Sequence, residues 1–440
     1  MIKKSKNLRA FVSSCETQKE EATPALVPKL RFPEFRKLAG WKVAQLQKIA
    51  RPVSDRAVTG DADNILSLSG EHGLVLQSDY FGKKIAGDSA ERYLKLLRND
   101  FVYNDRTTKA STFGTIKRLS KYEGGIVSPI YKCFRFHSDE NPVFWEWYFE
   151  SGSHEAALRG LVNEGARAGR FNISISQFLF TAAPRPDEPE QQKIAECLSS
   201  VDQLMAAQAR KVDALKTHKK GLMQQLFPRE GETQPRLRFP EFQNAGEWVR
   251  VRLDEISRVI RGSSPRPQGD PRFFGGPVPR LMVQDVTRDG KWVTPRIDSL
   301  TEEGATMSRP CPAGTLTIVC SGVVGIVSFL AVDACIHDGF LALVDIDELQ
   351  ADKDFLFHTL STLRNQFERG ATHGGVFTNL TTQGIKEFEI HCPRIAEQQR
   401  IADCLTSLDD LIAAQTQKHE ALKTHKKGLM QQLFPSPEDN

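Results

Sequence analysis

The chain has 440 residues, 26% of them charged and 40% hydrophobic, which is the composition of an ordinary globular protein long enough for two or three domains. The formal net charge of +4 permits binding to nucleic acid but is too small to argue for it alone. No run of about 18 apolar residues is available to cross a bilayer, and the N-terminus lacks the apolar run of a signal peptide.

The eight cysteines are scattered and include no CxxC pair. We therefore expect neither a disulfide framework nor a zinc site, and the usage fits a reducing cytoplasm. Cysteine and histidine elsewhere do not cluster at metal-ligand spacing, so no bound metal is predicted.

The chain opens on a polar stretch, residues 1–29, which we interpret as a tail. The hexapeptide LRFPEF follows at 30–35, with Trp41 shortly after it. The same six letters return at 237–242, followed by Trp248, so both features recur at an offset of 207 residues. A repeat kept in register over such a distance predicts that the chain is two copies of one unit.

A variable region follows each hexapeptide and carries short β-like runs separated by Gly, Asn and Asp. In the first region, 42–183, a helix is predicted at 143–151 and a strand at 172–175. The second region, 249–390, repeats the layout with different letters, and its helix is predicted at 355–367. Mixed strands and helices predict a compact globule of ~140 residues in each region.

Each variable region ends in a long, nearly identical helical stretch. Residues 190–228 return at 397–435 with 29 of 39 positions unchanged. Apolar residues alternate at spacings of 4 and 3, which predicts a seam that packs along a second helix as in a coiled coil. The pattern is interrupted by Gln208 and Lys219 in the first copy and by Gln415, His419 and Lys426 in the second. At 1.5 Å per residue each helix would be roughly 50 Å long. The predicted seam residues are Ile194, Leu198, Val201, Met205, Val212, Leu215, Leu222, Leu226, Ile401, Leu405, Leu408, Ile412, Leu422, Leu429 and Leu433.

Basic residues concentrate inside the variable regions. The stretch 250–296 holds ten Arg and Lys residues against five acidic ones, and nine of the ten are Arg. The planar guanidinium can grip two acceptors of guanine at once, and glutamine can read adenine. The candidate DNA-binding residues are Arg106, Lys109, Lys117, Arg118, Arg261, Arg266, Arg272, Arg280, Gln284 and Lys291. Each also has a simpler interpretation as a solvated or salt-bridged surface residue.

Three other sequence patterns bear on a chemical site. The Gly-rich stretches 160–169 and 370–375 would suit either a close approach of backbone to phosphate or simple tight turns, which we favour. The NPVF sequence at 141–144 is near the NPP-aromatic motif of amino-methyltransferases, but Val143 departs from it and no Gly-rich cofactor loop precedes it. No GxxxxGK[ST] loop is present. We therefore predict no catalytic residues in this chain.

The two-copy pattern resembles the specificity subunit of type I restriction–modification systems. LRFPEF and Trp precede each variable region, and EQQ(K/R)IA through KTHKKGLMQQLF follow each one. The resemblance implies an α+β fold: two α/β target-recognition globules in a pseudo-twofold repeat, separated by an antiparallel coiled coil of the two long helices. The implied boundaries are a tail at 1–29, target-recognition domain 1 at 30–183, spacer helix 1 at 184–228, linker and target-recognition domain 2 at 229–392, and spacer helix 2 at 393–440.

In that family each domain reads one half of a split double-stranded DNA target, and the helices set the gap. The resemblance further implies docking of two modification subunits, which use S-adenosylmethionine to methylate adenine, and of motor-nuclease subunits, which use ATP and Mg. No cofactor is expected on this chain itself, and a cytoplasmic location is expected. Two rival hypotheses remain: a stand-alone methyltransferase or nuclease with a fused reader, and a coiled-coil scaffold that binds protein.

Overall fold

A computed structural model describes residues 26–58, 64–81, 90–108, 111–161, 172–370, 372–374 and 377–435. The chain divides into two compact units. Unit 1 comprises Met1–Ala207 and His419–Asn440, and unit 2 comprises Gln208–Lys418. Each unit therefore combines one variable region with part of both long helices. Within the described residues, no helix is long and apolar enough to span a membrane.

Unit 1 is built on two four-stranded sheets, ordered β2-β9-β6-β7 and β4-β3-β8-β5. Its elements before the long helix are β1 (Lys42–Gln45), β2 (Ala50–Pro52), β3 (Ile65–Ser69), β4 (Gly73–Leu76), α1 (Gln77–Phe81), β5 (Leu94–Leu97), β6 (Phe101–Asn104), β7 (Thr115–Arg118), β8 (Gly124–Val127), β9 (Lys132–Phe136), α2 (Pro142–Glu150), α3 (Glu155–Arg159), α4 (Ile175–Phe180) and β10 (Ala182–Arg185).

The core of unit 1 is aromatic. The Phe136 and Trp145 rings stack with centroids 4.7 Å apart, and Phe101 stacks on Phe134 at 5.3 Å. Fully burying a side chain of this size contributes roughly 1.5–3 kcal/mol, so this cluster fixes helix α2 on the sheet. The hydrophobic cluster reaches Ile194 and Leu433 of the two long helices.

Unit 2 is larger in sheet content. The long helix α5 (Glu188–Leu226) enters it, and its further elements are β11 (Val249–Arg252), α6 (Leu253–Ile256), β12 (Arg258–Arg261), β13 (Phe274–Leu281), α7 (Val283–Asp289), β14 (Trp292–Val293), β15 (Asp298–Leu300), α8 (Glu302–Thr306), β16 (Arg309–Cys311), β17 (Leu316–Val319), β18 (Val327–Leu330), β19 (Ala334–Ile336), β20 (Phe340–Val344), α9 (Lys353–Thr362), α10 (Arg364–Gly370), β21 (Thr372–Gly374), β22 (Phe377–Asn379), α11 (Thr382–Lys386), β23 (Glu389–Cys392) and α12 (Ile395–Leu433). A five-stranded sheet, β12-β20-β17-β18-β14, and a four-stranded sheet, β15-β13-β19-β16, form its body.

In each unit, a two-stranded antiparallel sheet (called the clasp) joins the start of the variable region to its end, just before the long helix. In unit 1, β1 pairs antiparallel with β10 and Lys42 faces Arg185. In unit 2, β11 pairs with β23 and Val249 faces Cys392. All four positions obey the offset of 207, so the repeat seen in the sequence is a repeat of backbone pairing.

The residues of the predicted seam lie on the buried sides of the two long helices. All fifteen seam residues are buried or half-buried, while most of their helix neighbours are exposed. In unit 1, Lys426 pairs with Asp202, and in unit 2 Lys219 pairs with Asp409. Residues further along α5 pair with residues earlier in α12, so the paired segments in each unit are antiparallel, as the fold class predicted.

One prediction of local structure is wrong, and a second is correct except for one interruption. Residues 172–175 do not form a strand, because Ser174 accepts a hydrogen bond from the Gln177 backbone N–H and starts α4 as a capping box. The helix predicted at 355–367 is interrupted at Leu363, where α9 ends and α10 begins.

Candidate nucleic-acid interface

A cleft of about 480 Å³ opens at one edge of unit 2. It lies where the loop after β12, the end of β13 and the turns after β17 and β19 meet. Its lining residues are Arg261, Ser264, Arg266, Gln268, Arg280, Met282, Ser321, Gly322, His337, Asp338, Gly339 and Asn379. Every lining residue belongs to unit 2, and all but Met282 and the two glycines carry polar side chains.

Three of the ten candidate DNA-binding residues meet in this cleft, although 19 positions separate the first from the last. Arg266 is exposed, and Arg261 is half-buried because its Nε donates to the Asp338 carbonyl oxygen at 3.0 Å. Arg280 is different, since its side chain is only 6% exposed. Its Nη1 lies 2.5 Å from Asp298 Oδ2 and its Nη2 donates to Ser264 Oγ at 2.8 Å.

The base of the cleft is held rigidly. Gly262 lies so close to the His337 carbonyl that a Cβ there would overlap it. The Ser263 backbone N–H donates to the Ile336 carbonyl at 3.2 Å, and Ser308 Oγ donates back to the Ser263 carbonyl at 2.7 Å. The arginine-bearing loop is thus fixed against the turn that follows β19, which keeps the polar groups of the cleft in place before any ligand arrives.

The remaining candidates in unit 2 lie elsewhere. Arg272 is exposed and paired with Asp270 two residues away, and Gln284 is exposed on α7. Lys291 is half-buried, where Nζ lies 2.7 Å from Asp354 Oδ1 and donates to Thr406 Oγ1 at 3.1 Å. Thr406 belongs to α12, so Lys291 joins the globular part of unit 2 to the long helix.

Candidates in unit 1 lie mostly between sheet and helix. Lys117 pairs with Glu150, and Arg118 Nη2 lies 2.6 Å from Glu146 Oε2, both on α2. Both basic side chains of the edge strand β7 are therefore already paired with carboxylates of α2. Arg106 is exposed. Lys109 falls outside the described residues, as does most of the Gly-rich stretch 160–169.

The excess of arginine in 250–296 is partly balanced by carboxylates that lie outside that window. Arg258 pairs with Asp345 at 2.7 Å, Arg250 with Glu389 at 3.3 Å and Arg280 with Asp298. Counting charge along the sequence therefore overstated the positive surface. The positive charge that the fold brings together at the cleft is limited to two accessible guanidinium groups, those of Arg261 and Arg266.

Sequence reasoning missed a pair of residues that dock each globule on its helix. In unit 1 Arg31 of LRFPEF reaches Glu190 of the EQQ motif, with Nε–Oε1 at 2.8 Å and Nη2–Oε2 at 2.7 Å. In unit 2 Arg238 makes the equivalent bidentate contact to Glu397. Both pairs are nearly or fully buried, and the carboxylate raises the pKa of each guanidinium. The signal was available, because both residues recur at the offset of 207.

The next residue of the same motif completes the docking. Gln191 Oε1 accepts the Asn141 backbone N–H at 2.9 Å, and Gln398 Oε1 accepts the Asp352 backbone N–H at 3.0 Å. Asn141 caps α2 and Asp352 caps α9. The NPVF sequence is thereby explained as a helix cap, because Asn141 Oδ1 accepts hydrogen bonds from the backbone N–H groups of Val143 and Phe144.

The described residues contain no cluster of three or more His, Cys, Asp or Glu side chains able to hold a metal. The seven described cysteines are free, and burial raises the pKa of most of their thiols, that of Cys392 to about 12. A buried thiol with a raised pKa is a packing group rather than a nucleophile.

Comparison with known proteins agrees with this architecture. Residues 245–424 match the family described as type I restriction modification DNA specificity domain. The second variable region and most of the second long helix are thus similar to that family. The chain is also 26% identical over 273 residues to the putative type I restriction enzyme MjaX specificity subunit of Methanocaldococcus jannaschii, covering 60% of each chain. The MjaIX specificity subunit of the same organism is 24% identical over 181 residues, which is 40% of this chain and 41% of the relative.

The matched part thus spans at most about 60% of these curated relatives. Two solved structures share the fold of the chain. A chain from a study titled "Structural basis underlying complex assembly and conformational transition of the type I R-M system" aligns over 90% of this chain and 98% of its own length, with a TM-score of 0.57 and 18% identity. The type I restriction–modification S subunit from M. genitalium aligns over 93% and 100%, with a TM-score of 0.55 and 14% identity.

Proposed function

We propose that this chain is the DNA-recognition subunit of a type I restriction–modification complex. Each unit would read one half of a split double-stranded target, and the paired helices would set the gap between the halves. The observation that carries the proposal is the unit 2 cleft, where the accessible Arg261 and Arg266 meet Gln268 and Asn379. The buried Arg280 supports this arrangement through Asp298 and Ser264. Arginine forks and side-chain amides are the groups that read base edges in the major groove.

The proposal assigns no chemistry to the chain itself. Modification subunits would dock on the conserved segments and methylate adenine with S-adenosylmethionine, and motor-nuclease subunits would use ATP and Mg. The family match and the named relatives support this assembly. Such a complex would work in the cytoplasm, where the DNA lies.

Binding of the full-length chain to random-sequence duplex tests the DNA assignment. Contacts to phosphates release counterions, so affinity should fall about tenfold or more between 50 and 200 mM salt if two or more phosphates are neutralised. Affinity that stays flat over this range would favour the protein-binding scaffold.

A second assay separates a reader from an enzyme. The isolated chain is incubated with DNA and labelled S-adenosylmethionine, and we expect no methyl transfer until modification subunits are added. Transfer by the chain alone would instead support the stand-alone methyltransferase.

A further inference from the structure

One carboxylate faces the unit 2 cleft among its arginines. Asp338 lies in the turn between β19 and β20, and its side chain is 56% exposed. Its backbone carbonyl, not its carboxylate, accepts the hydrogen bond from Arg261 Nε. The negative charge is therefore not used to fix that arginine.

The carboxylate is held in position by a neutral group. Ser264 Oγ donates to Asp338 Oδ1 at 2.6 Å, and this bond lowers the pKa of the carboxyl below its usual range. The same Ser264 oxygen accepts from Arg280 Nη2 at 2.8 Å. Asp338 is thus ionised at neutral pH and is oriented by a chain of hydrogen bonds that ends on a buried arginine.

Within the part of the chain that the structure describes, the one basic side chain in ion-pair range of this carboxylate is His337, whose Nδ1 lies 3.7 Å from Oδ1. That nitrogen already accepts the Gly339 backbone N–H at 2.9 Å, so it carries no proton. Burial and Arg280 also lower the pKa of His337, which keeps the ring neutral. Among the described residues, the carboxylate thus faces the cleft without an ion pair to an arginine or lysine, although the charge of Arg266 also lowers its pKa.

Such a charge is unfavourable next to a phosphate and favourable next to a hydrogen-bond donor. In the major groove the donors are the exocyclic amines, N4 of cytosine and N6 of adenine, and aspartate is suited to accept from cytosine N4. The neighbouring Arg261 and Arg266 would hold the duplex against the cleft despite the carboxylate.

We propose that Asp338 is a specificity-determining residue of unit 2 that accepts a hydrogen bond from the exocyclic amine of one base in the half-site read by this unit, and that Ser264 positions it. The inference rests on the proposed DNA-recognition function. It adds to the arginine candidates an acceptor, which a purely cationic surface cannot supply.

The test is selection from a random duplex library by the full-length chain, with sequencing of the bound fraction. Asp338→Ala should lose the preference for cytosine or adenine at one position of one half-site, by about fivefold to a hundredfold. Asp338→Asn should weaken the preference at that position by a smaller factor, because its amide oxygen is still an acceptor but carries no charge. All other positions of the target should keep their preferences. Ser264→Ala should weaken the preference at that same position by a smaller factor, because the carboxylate remains but is less well oriented.

Asp345→Asn is the matched control. Asp345 follows β20 at the end opposite Asp338, is exposed and pairs with Arg258. Asp345→Asn removes one negative charge from the same unit, so a general rise in affinity for DNA should appear in this variant as well as in the Asp338 variants. The loss of one base preference should appear only in the Asp338 variants. Thermal unfolding of each variant confirms that it is folded before selection.

An unchanged target in both folded Asp338 variants would overturn the inference while leaving the proposed function in place. A loss of preference spread evenly over the half-site, in Asp345→Asn as well, would also overturn it, since this would be a long-range effect of charge. Wild-type protein that enriches no sequence would instead overturn the proposed function itself.

Discussion

The buried pair Arg31–Glu190 allows a quantitative test of how each globule is fixed to its helix. The side chains are 7% and 4% exposed, and the guanidinium makes two bonds to the carboxylate. Arg31 also donates to the carbonyl oxygens of Leu38 and Ala39, both at 3.0 Å. Arg31→Met would leave the Glu190 carboxylate buried without a counter-charge.

Removing one partner of a buried ion pair typically costs about 3–5 kcal/mol, which is a large part of the stability of a domain. We therefore expect Arg31→Met to lower the free energy of unfolding of unit 1 by that amount. The double variant Arg31→Met/Glu190→Met should recover much of the loss, because it removes both charges together. Urea denaturation gives the free energy, and hydrogen exchange of peptides from β6 and α2 assigns it to unit 1.

Lys193→Met is the matched control. Lys193 lies one turn further along α5 and pairs with Glu34 of the same LRFPEF segment, but both side chains are 45% exposed. Exposed pairs contribute little to stability, so this variant should unfold almost as the wild type does. Equal effects of Arg31→Met and Lys193→Met would refute the reasoning that burial makes the first pair essential.

Three further predictions follow from the cleft, the helices and a buried histidine. Arg266→Ala should relax one position of a half-site by roughly 1–3 kcal/mol in binding competition without destabilising the protein, whereas Arg280→Ala should lower the thermal stability of unit 2, because it leaves Asp298 without its partner. Inserting four residues near Gln208 in α5 and four near Gln415 in α12, which hydrogen-bond to each other, should change the gap between half-sites in selected DNA and leave the half-site letters unchanged. His358 is fully buried, and burial lowers its pKa to about 3, so protonation favours the unfolded chain. The contribution of this residue to stability is complete above pH 6.5 and should fall by about 1.4 kcal/mol per pH unit between pH 6.5 and its folded pKa. His358→Gln should therefore reduce the dependence of stability on pH in urea denaturation.

The long-range repeat carried most of the architecture that could be predicted. Seam residues such as Leu198 of α5 and Leu405 of α12 each belong to a regular spacing along their own helix, so their burial follows from local geometry and needs no knowledge of the rest of the chain. The clasp strands were also reachable, because Val43 and Arg250 stand at equivalent places after the repeated tryptophan. Ser174 and Gln177 formed a recognisable capping box, and reading it would have replaced the wrong strand with α4.

The functional surface could not be predicted in the same way. Arg261, Arg280 and Asp338 come from three separate segments, and only the pairing of β12, β13 and β20 with their neighbours brings them to one cleft. In the sequence, Arg280 and Arg266 are equally good candidates for contact with DNA, although Arg280 is buried against Asp298 and Arg266 is exposed. Glu190 is recognisable in the sequence only as part of the repeated EQQ motif. Its ion pair could not be predicted, because its partner Arg31 is 159 positions away.

The most direct test of the account is sequencing of methylated adenines in the genome of the source organism, with and without the gene for this chain. We expect methylated adenines in a target of two unlike halves separated by a gap of fixed length and free sequence, and we expect this methylation to vanish when the gene is deleted. A continuous target, or a methylation pattern that survives the deletion, would contradict the conclusion that the two units read a split site.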